Sequence, residues 1–179
     1  MNNFANDKNF ILWFTGLSAA GKTTLANKIF QELENEGAIV HNLDGDEVRA
    51  NSERRLGFSA EDRDENIRLA VDLAKKYQEE GYSVVASFIS PYRRHRELAR
   101  KELNNFIEIF VDTPLEVCEN RDPKGLYKKA RLGEIQRFTG VDDPYEKPEK
   151  PDIHIKTNPN SVKECVRKVR EYLANKNLF

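Results

Sequence analysis

Short apolar, β-branched and aromatic runs alternate along the chain with longer stretches whose apolar residues recur at helical spacing. Residues 10–15, FILWFT, have the continuous hydrophobic character of a buried strand, and residues 22–36 have the pattern of a helix that ends near Gly37. Strand–helix alternation of this kind is typical of a mainly parallel five-stranded sheet with helices on both faces, a three-layer α/β/α fold. The four other predicted strands are 38–44, 82–89, 106–112 and 151–157.

Local signals predict where two of the helices begin. Ser59 with Asp62 three residues later has the pattern of a capping box, and the amphipathic stretch that follows stops at Gly81. Ser90 and Pro91 are a good cap and first-turn pair, so they predict a helix that begins at Pro91.

One segment, residues 121–150, breaks the alternation between the fourth and fifth strands. It is polar and rich in charge and proline. An insertion of this length in a compact fold is more often a functional lid than an idle loop. A closing helix is predicted near 160–175, and we expect residues 1–179 to form a single domain.

Composition narrows the function classes. A net charge of −1 gives no overall field that would attract nucleic acid or anionic lipid, and the run PYRRHRELARK, with Arg94 and His95, is interpreted as a solvated helix face. Cys118 and Cys165 are too few for a disulfide framework. No apolar run reaches the roughly 20 residues of a membrane helix, and no secretion signal is evident, so we expect a cytoplasmic protein.

The stretch GLSAAGKTT, which begins at Gly16, predicts a phosphate-binding loop (P-loop) between the first strand and the first helix. Backbone N–H groups and the helix N-terminus would hold the β-phosphate, Lys22 would reach the β- and γ-phosphates, and the Thr23 hydroxyl would ligate Mg²⁺. Alanine is acceptable at the two interior positions provided that φ stays negative there. The predicted ATP-binding residues of the loop are Gly16, Leu17, Ser18, Ala19, Ala20, Gly21, Lys22, Thr23 and Thr24.

Two carboxylates follow the second strand in LDGDEVR. Asp44 and Asp46 would emerge beside the phosphate loop, where one can hold Mg²⁺ and the other can accept a proton from an attacking hydroxyl. Asp46 could instead cap the short stretch that follows it. The chain contains no Asn-Lys-x-Asp segment, which argues against a G-protein.

An anion clamp is predicted downstream of the carboxylates. Arg63 and Asn66 lie one helical turn apart, and with Arg49 they would suit an anionic, oxygen-rich substrate. Phe58, just before their helix, offers a flat ring for stacking.

Six motifs together resemble the adenylylsulfate kinase (APS kinase) family: GLSAAGKTT, LDGDEVR, LGFSAEDRDENIRL, FISPYR, FVDTPLEVCENRDPKGLYKKAR and FTGVDDPYE. The resemblance runs from about Asn9 to about Thr157. It implies a P-loop NTPase fold and transfer of the ATP γ-phosphate, with Mg²⁺, to the ribose 3′-hydroxyl of adenosine 5′-phosphosulfate (APS), which yields PAPS.

The resemblance also implies roles for individual residues. Arg49, Arg63 and Asn66 would hold the phosphosulfate, and Phe58 and Phe138 would sandwich the adenine of APS. Ile89, Lys124, Gly125 and Leu126 would line the APS pocket, and Lys124 would also stabilise the transferring phosphoryl group. Arg121 and Thr157 would flank the adenine of ATP.

The catalytic set implied by the resemblance contains one open question. Asp46 is the preferred proton acceptor, with Asp44 beside it as a metal ligand and Lys22 on the phosphates. In bacterial members of the family the serine that matches Ser90 is a phosphoserine intermediate, whereas direct in-line transfer would leave Ser90 only the capping role.

Partners and alternatives complete the expectations. The family tends to form homodimers, and a separate sulfate adenylyltransferase is a possible functional partner. A P-loop kinase for another small alcohol, or a module that binds APS or PAPS without catalysis, would share part of the pattern.

Overall fold

The structure is a computed structural model that describes residues 9–53 and 55–179, with the side chain of Asp46 outside the described part. The described residues form one five-stranded sheet in which every neighbouring pair is parallel. The strands are β1 Ile11–Thr15, β2 Val40–Leu43, β3 Ser83–Ser87, β4 Phe106–Asp112 and β5 Ile153–Lys156. Their order across the sheet is β2-β3-β1-β4-β5, so β1 lies at the centre.

Seven helices connect and cover these strands within the described residues. The predicted long helices are confirmed. Three further helices have only six or seven residues and are too short to show a period. The helices are α1 Lys22–Asn35, α2 Gly45–Ala50, α3 Ala60–Glu79, α4 Arg93–Glu102, α5 Leu115–Arg121, α6 Leu126–Arg131 and α7 Val162–Asn175. Of these three short helices, α2 corresponds to the stretch that the cap alternative placed after Asp46, and α5 and α6 were not predicted.

The central strand explains the continuous apolar run at the start of the chain. Its side chains alternate between two cores: Leu12 and Phe14 pack in the core that includes α1 and α7, and Ile11 and Trp13 pack in the core that includes α3. All four are fully buried. A strand covered on both faces needs apolar residues at every position, as the sequence predicts.

The carboxyl ends of the parallel strands bring the predicted chemistry to one edge of the sheet. The phosphate loop follows β1, Asp44 follows β2, Ile89 lies just past β3, and Thr157 follows β5. Ligands of open α/β sheets bind at this edge.

The prediction that a helix begins at Pro91 with Ser90 as its cap is wrong. Helix α4 begins at Arg93, and its N-cap residue, Tyr92, makes no side-chain capping bond. Ser90 is buried and has a φ of 39°. Its hydroxyl bonds to the central strand instead, which a local sequence signal cannot reveal.

The basic run that was interpreted as a solvated helix face is also partly buried. Arg94 is exposed, whereas His95 and Arg96 are only 2% and 4% exposed. Arg96 forms an ion pair of 2.8 Å with Glu108 of β4, which compensates its burial. Within residues 9–53 and 55–179, no helix has both the length and the apolar character needed to cross a membrane.

Candidate active site

The phosphate loop joins β1 to α1, as the motif predicts. Gly16 is required by packing, because a Cβ there would lie 2.5 Å from the backbone oxygen of Val111. Gly21 is the N-cap of α1 with a φ of 102°, a conformation that favours glycine. The two glycines of the motif are therefore required for different physical reasons.

One hydroxyl group and one ammonium group donate hydrogen bonds to backbone carbonyls of the loop. The Tyr127 hydroxyl of α6 donates to the Ser18 oxygen at 3.0 Å, and Lys22 Nζ donates to the Leu17 oxygen at 2.7 Å. Burial lowers the pKa of Lys22 from 10.5 to about 8. No described residue forms an ion pair with this buried ammonium, and an anionic phosphate would supply that counter-charge.

The two alanines of the loop occupy different environments. Ala19 has a φ of 58°, so the expectation of a negative φ there is wrong. Arg121 Nη1 donates to the Ala19 and Ala20 oxygens at 3.3 and 3.4 Å, and the Thr113 hydroxyl donates to the Ala20 oxygen at 2.8 Å. The Ala20 N–H, which shares a peptide with the Ala19 carbonyl, donates to the Leu17 oxygen at 3.2 Å. The N–H and C=O of a peptide point in opposite directions, so the Ala20 carbonyl, held from outside, leaves the Gly21 N–H to line an anion-binding concavity.

The loop opens on a large cavity at the carboxyl edge of the sheet. Its volume is about 1590 Å³, more than the 300–1,000 Å³ of a usual small-ligand site, so it has room for two ligands. The predicted residues that line it are Ser18, Ala19, Gly21, Lys22, Thr23, Thr24, Asp44, Arg49, Phe58, Arg63, Asn66, Ile89, Ser90, Arg121, Lys124, Leu126, Phe138 and Thr157.

Five predicted site residues are not part of this lining. Gly16 lies behind the loop against β4, and Ala20 is fully buried beneath it. Leu17 faces a neighbouring groove beside Gly140, and Gly125 is the N-cap of α6. The side chain of the fifth, Asp46, lies outside the described part of the structure.

The alternative prediction, that Asp46 caps a short helix, is wrong about the residue. Asp44 rather than Asp46 precedes α2, and its Oδ1 accepts a hydrogen bond of 2.9 Å from the Glu47 N–H. Asp44 also lines the cavity, together with the predicted magnesium ligand Thr23.

The oxygen donors here fit magnesium. Thr23 supplies a hydroxyl and Asp44 a carboxylate. The Ser87 hydroxyl at the end of β3 lies at the same cavity, buried and with no hydrogen-bond partner among the residues that the structure describes. In the described residues no group of three or more His, Cys, Asp or Glu side chains forms a metal cage. Magnesium suits such a site, because it is usually held by one or two protein oxygens, substrate phosphates and water.

Arg63 joins the predicted anion clamp to the lid. Its guanidinium donates to the Thr139 hydroxyl and to the Arg137 carbonyl, and lies 3.5 Å from Asp143. Its Nε also donates to the Phe58 carbonyl at 3.0 Å. Arg63 therefore lines the cavity while it is bonded to the segment that would cover it.

The two predicted adenine-binding rings are in contact with each other. Phe58 and Phe138 lie 6.3 Å apart between centroids at an interplanar angle of 63°. Phe138 is buried and packs edge-on against Tyr127 at 5.0 Å, whereas Phe58 is 45% exposed. A parallel sandwich would require the Phe58 ring to turn and move outward.

The far end of the lid is bonded to the sheet by a chain of hydroxyls. Tyr145 OH and Thr15 Oγ1 are 2.9 Å apart, and the Ser90 hydroxyl donates to Thr15 Oγ1 at 2.9 Å. Ser90 Oγ also accepts from Trp13 Nε1 at 3.2 Å. Ser90 is thus a buried link between the lid, β1 and the loop after β3.

Sequence reasoning missed several residues at this site. Tyr127 and Tyr145 lie inside the motifs DPKGLY and DDPYE. These motifs indicated the family but did not indicate what either tyrosine does. Thr113, Thr15 and Ser87 gave none, because a single hydroxyl at the end of a strand has no pattern. Their roles depend on contacts between residues far apart in sequence.

Known proteins resemble this chain over most of its length. The family model described as adenylylsulphate kinase matches residues 8–156. Adenylyl-sulfate kinases of Halothermothrix orenii and Clostridium kluyveri are 52% and 48% identical to the chain, covering 96% and 93% of it and 92% and 84% of those proteins. The solved structure of Mycobacterium tuberculosis APS kinase in complex with AMPPNP and APS has a TM-score of 0.88 at 42% identity, covering 93% of this chain and 98% of that one. A family-model match over residues 8–156, with relatives about half identical over most of the chain, shows that the chain belongs to the adenylylsulphate kinase family.

Proposed function

We propose that this protein transfers the γ-phosphate of ATP to the 3′-hydroxyl of adenosine 5′-phosphosulfate and releases PAPS and ADP. The observation that carries the proposal is the shared cavity, which is lined both by the phosphate loop and by Arg49, Asn66 and Phe58. A nucleotide donor and a sulfonucleotide acceptor would therefore occupy the same cavity. The complex of the Mycobacterium tuberculosis relative with AMPPNP and APS supports the same pair of ligands.

The donor would lie on the loop amides. Lys22 would leave the Leu17 carbonyl and turn to the β- and γ-phosphates, because a phosphate oxygen is a stronger acceptor than a carbonyl. Arg121 and Thr157, which both approach Gly21, would border the adenine of ATP. Mg²⁺, when held by Thr23 and Asp44, would neutralise charge on the β- and γ-phosphates.

The acceptor would lie against the opposite side of the cavity. Arg49, Arg63 and Asn66 would bind the phosphosulfate, and Phe58 and Phe138 would enclose its adenine. Arg63 is bonded to the lid near Phe138, so occupation by APS would change the lid contacts as well.

Asp46 would accept the proton of the 3′-hydroxyl as that oxygen attacks the γ-phosphorus. Lys124, Gly125 and Leu126 come from the lid segment, and the Lys124 ammonium would stabilise charge on the transferred group. Direct in-line transfer needs no covalent stage, and the burial of Ser90 favours it. We infer that the lid, residues 121–150, closes over both substrates within a single catalytic domain.

The experiment is a coupled ADP-release assay with Mg·ATP and APS, with shikimate, gluconate and a nucleoside as alternative acceptors. Of these acceptors, we expect only APS to cause ADP release. Turnover with another alcohol would indicate a different small-molecule kinase, and binding of APS without turnover would indicate a non-catalytic module. Asp46→Asn should lower kcat far more than substrate affinity if Asp46 acts in the transition state.

Assembly and location stay predictions. We expect a homodimer in the cytoplasm, with a separate sulfate adenylyltransferase as a functional partner that would supply APS.

A further inference from the structure

The carboxylate of Glu47 in α2 is held by two other elements of the fold. Its Oε2 lies 3.0 Å from His41 Nε2 of β2, and its Oε1 accepts a hydrogen bond of 2.5 Å from the Tyr77 hydroxyl of α3. The rings of His41 and Tyr77 are stacked with centroids 3.7 Å apart at 18°. Both carboxylate oxygens therefore have a partner of fixed orientation. We name these three residues the Glu47 clamp.

Helix α2 has only six residues, so it needs contacts with other elements to hold it in position. Isolated helices shorter than about 12 residues are marginal in water, so its position depends on tertiary contacts. Val48 is its fully buried anchor in the core that includes α3. The Val48 contact is apolar and has no preferred direction, so by itself it does not fix the rotation of the helix. The neighbouring Glu47 supplies a second, directional contact.

The helical repeat connects the clamp to the reaction. Successive residues are about 100° apart around a helix, so positions 46 and 49 share the side opposite the Glu47–Val48 pair. Arg49 lines the cavity. The turn of helix that is bonded to β2 and α3 thus carries, on its other side, one proposed substrate ligand and the position of the proposed base.

The Tyr77 hydroxyl donates its hydrogen bond to a carboxylate oxygen of Glu47. The hydrogen bond to Glu47 is the largest of the causes that raise the pKa of Tyr77 to about 12. Hydrogen bonds to a charged acceptor are roughly twice as strong as neutral ones. Tyr82 lies edge-on to both rings, 6.3 Å from His41 and 6.1 Å from Tyr77, and completes the aromatic cluster.

We propose that Glu47 is a positioning residue for phosphoryl transfer, held by Tyr77 and His41 so that α2 presents positions 46 and 49 to APS. This inference rests on the proposed function. The Glu47 clamp leaves the phosphate loop unaltered, because that loop belongs to other elements. Loss of the Glu47 clamp should therefore weaken APS binding and slow the chemical step, while ATP binding should stay the same.

The test compares Glu47→Ala, Glu47→Gln, Tyr77→Phe and the double variant of Glu47→Ala with Tyr77→Phe in the APS-dependent ADP-release assay. We expect Glu47→Ala to lower kcat/KM for APS roughly tenfold, with the KM for ATP within about twofold of the wild type. Glu47→Gln retains an oxygen acceptor for Tyr77 and should recover most of the loss. The double variant should be no worse than Glu47→Ala, because each of its two changes removes the same hydrogen bond between Tyr77 and Glu47.

Tyr82→Phe is the matched control, since it removes a hydroxyl from the same cluster without touching Glu47; it should behave as the wild type. Thermal unfolding of each variant separates loss of folded protein from misplacement of α2. Wild-type turnover in Glu47→Ala, additive losses in the double variant, or an equal loss of ATP affinity would overturn the proposal. A wild-type protein without APS-dependent ADP release would instead overturn the proposed function on which the clamp depends.

Discussion

The Tyr127 hydroxyl donates a 3.0 Å hydrogen bond to the Ser18 carbonyl, which joins lid helix α6 to the phosphate loop. Lys124 precedes Tyr127 by three residues, and Phe138 packs against the Tyr127 ring. The same side chain thus contacts the ATP-binding loop and a ring proposed to bind APS.

Removal of the Tyr127 hydroxyl should weaken both ATP binding and catalysis. Tyr127→Phe leaves the Ser18 carbonyl without this donor, which should destabilise the loop by about 1 kcal/mol. If ATP binding has to restore the order of the loop, ATP affinity should fall by at most roughly fivefold. Because Lys124 is on the same segment, kcat should fall as well. ATP titration and steady-state kinetics measure the two effects.

Tyr172→Phe is a suitable control for Tyr127→Phe, since Tyr172 lies on α7 and bonds to no loop carbonyl among the described contacts. Equal ATP affinity in Tyr127→Phe and the wild type would show that the bond to Ser18 does not support the loop.

The two loop alanines should respond in opposite directions to glycine. Ala19→Gly removes a left-handed alanine, so the free energy of unfolding should rise by about 1 kcal/mol with ATP affinity retained. Ala20→Gly removes a fully buried methyl group and should lower stability by about 1 kcal/mol. Urea unfolding measures both. Destabilisation by Ala19→Gly would contradict the observed backbone conformation.

Ser90→Ala should cost stability and spare activity. Trp13 Nε1 would lose its buried acceptor, which typically costs about 1–3 kcal/mol, while direct transfer would keep kcat within about threefold. Ser83→Ala, another buried serine that accepts from a backbone N–H, is a control for the loss of stability. Kinetics and retention of label from γ-labelled ATP are the measurements. A folded Ser90→Ala protein that binds both substrates but is inactive would support a phosphoenzyme.

Stability of the nucleotide-free protein should depend on Lys22 at alkaline pH. Its pKa is about 8 when folded and near 10.5 when unfolded, so between these values the unfolded chain binds more protons. The Lys22 contribution to the free energy of unfolding should therefore rise between pH 8 and 10.5, by an amount on the order of 3 kcal/mol.

Lys22→Met isolates that contribution, because it should be more stable than the wild type below pH 8 and lack the rise. Identical pH profiles of stability would contradict a buried ammonium. Lys22→Met should also abolish turnover, and a loss of less than about tenfold would count against the phosphate-binding role.

Sequence signals predicted the features that local chemistry dictates. The strand–loop–helix around Gly16 and Lys22 could be predicted because each motif position has its own requirement. Helix α3 could be predicted because Ser59 accepts from the Asp62 N–H as a cap must. Most of the site residues that the motifs and the family resemblance predict line the cavity, although they make up less than half of its lining.

Features that depend on distant contacts could not be predicted. Ser90 followed by proline resembles a cap, but Trp13 and Thr15, more than 70 residues away, hold it elsewhere. Nothing local indicates that Arg121 would hold Ala19 in a left-handed conformation. A single sequence does not show which far residues meet.

A crystal structure with a non-hydrolysable ATP analogue, Mg²⁺ and APS tests the central claim most directly. We predict that the phosphates lie on residues 16–24, that the APS adenine lies between Phe58 and Phe138, and that the 3′-oxygen lies about 3–3.5 Å from the γ-phosphorus, beside Asp46. An APS molecule bound anywhere else, or with its 3′-hydroxyl directed away from Asp46, would contradict the account.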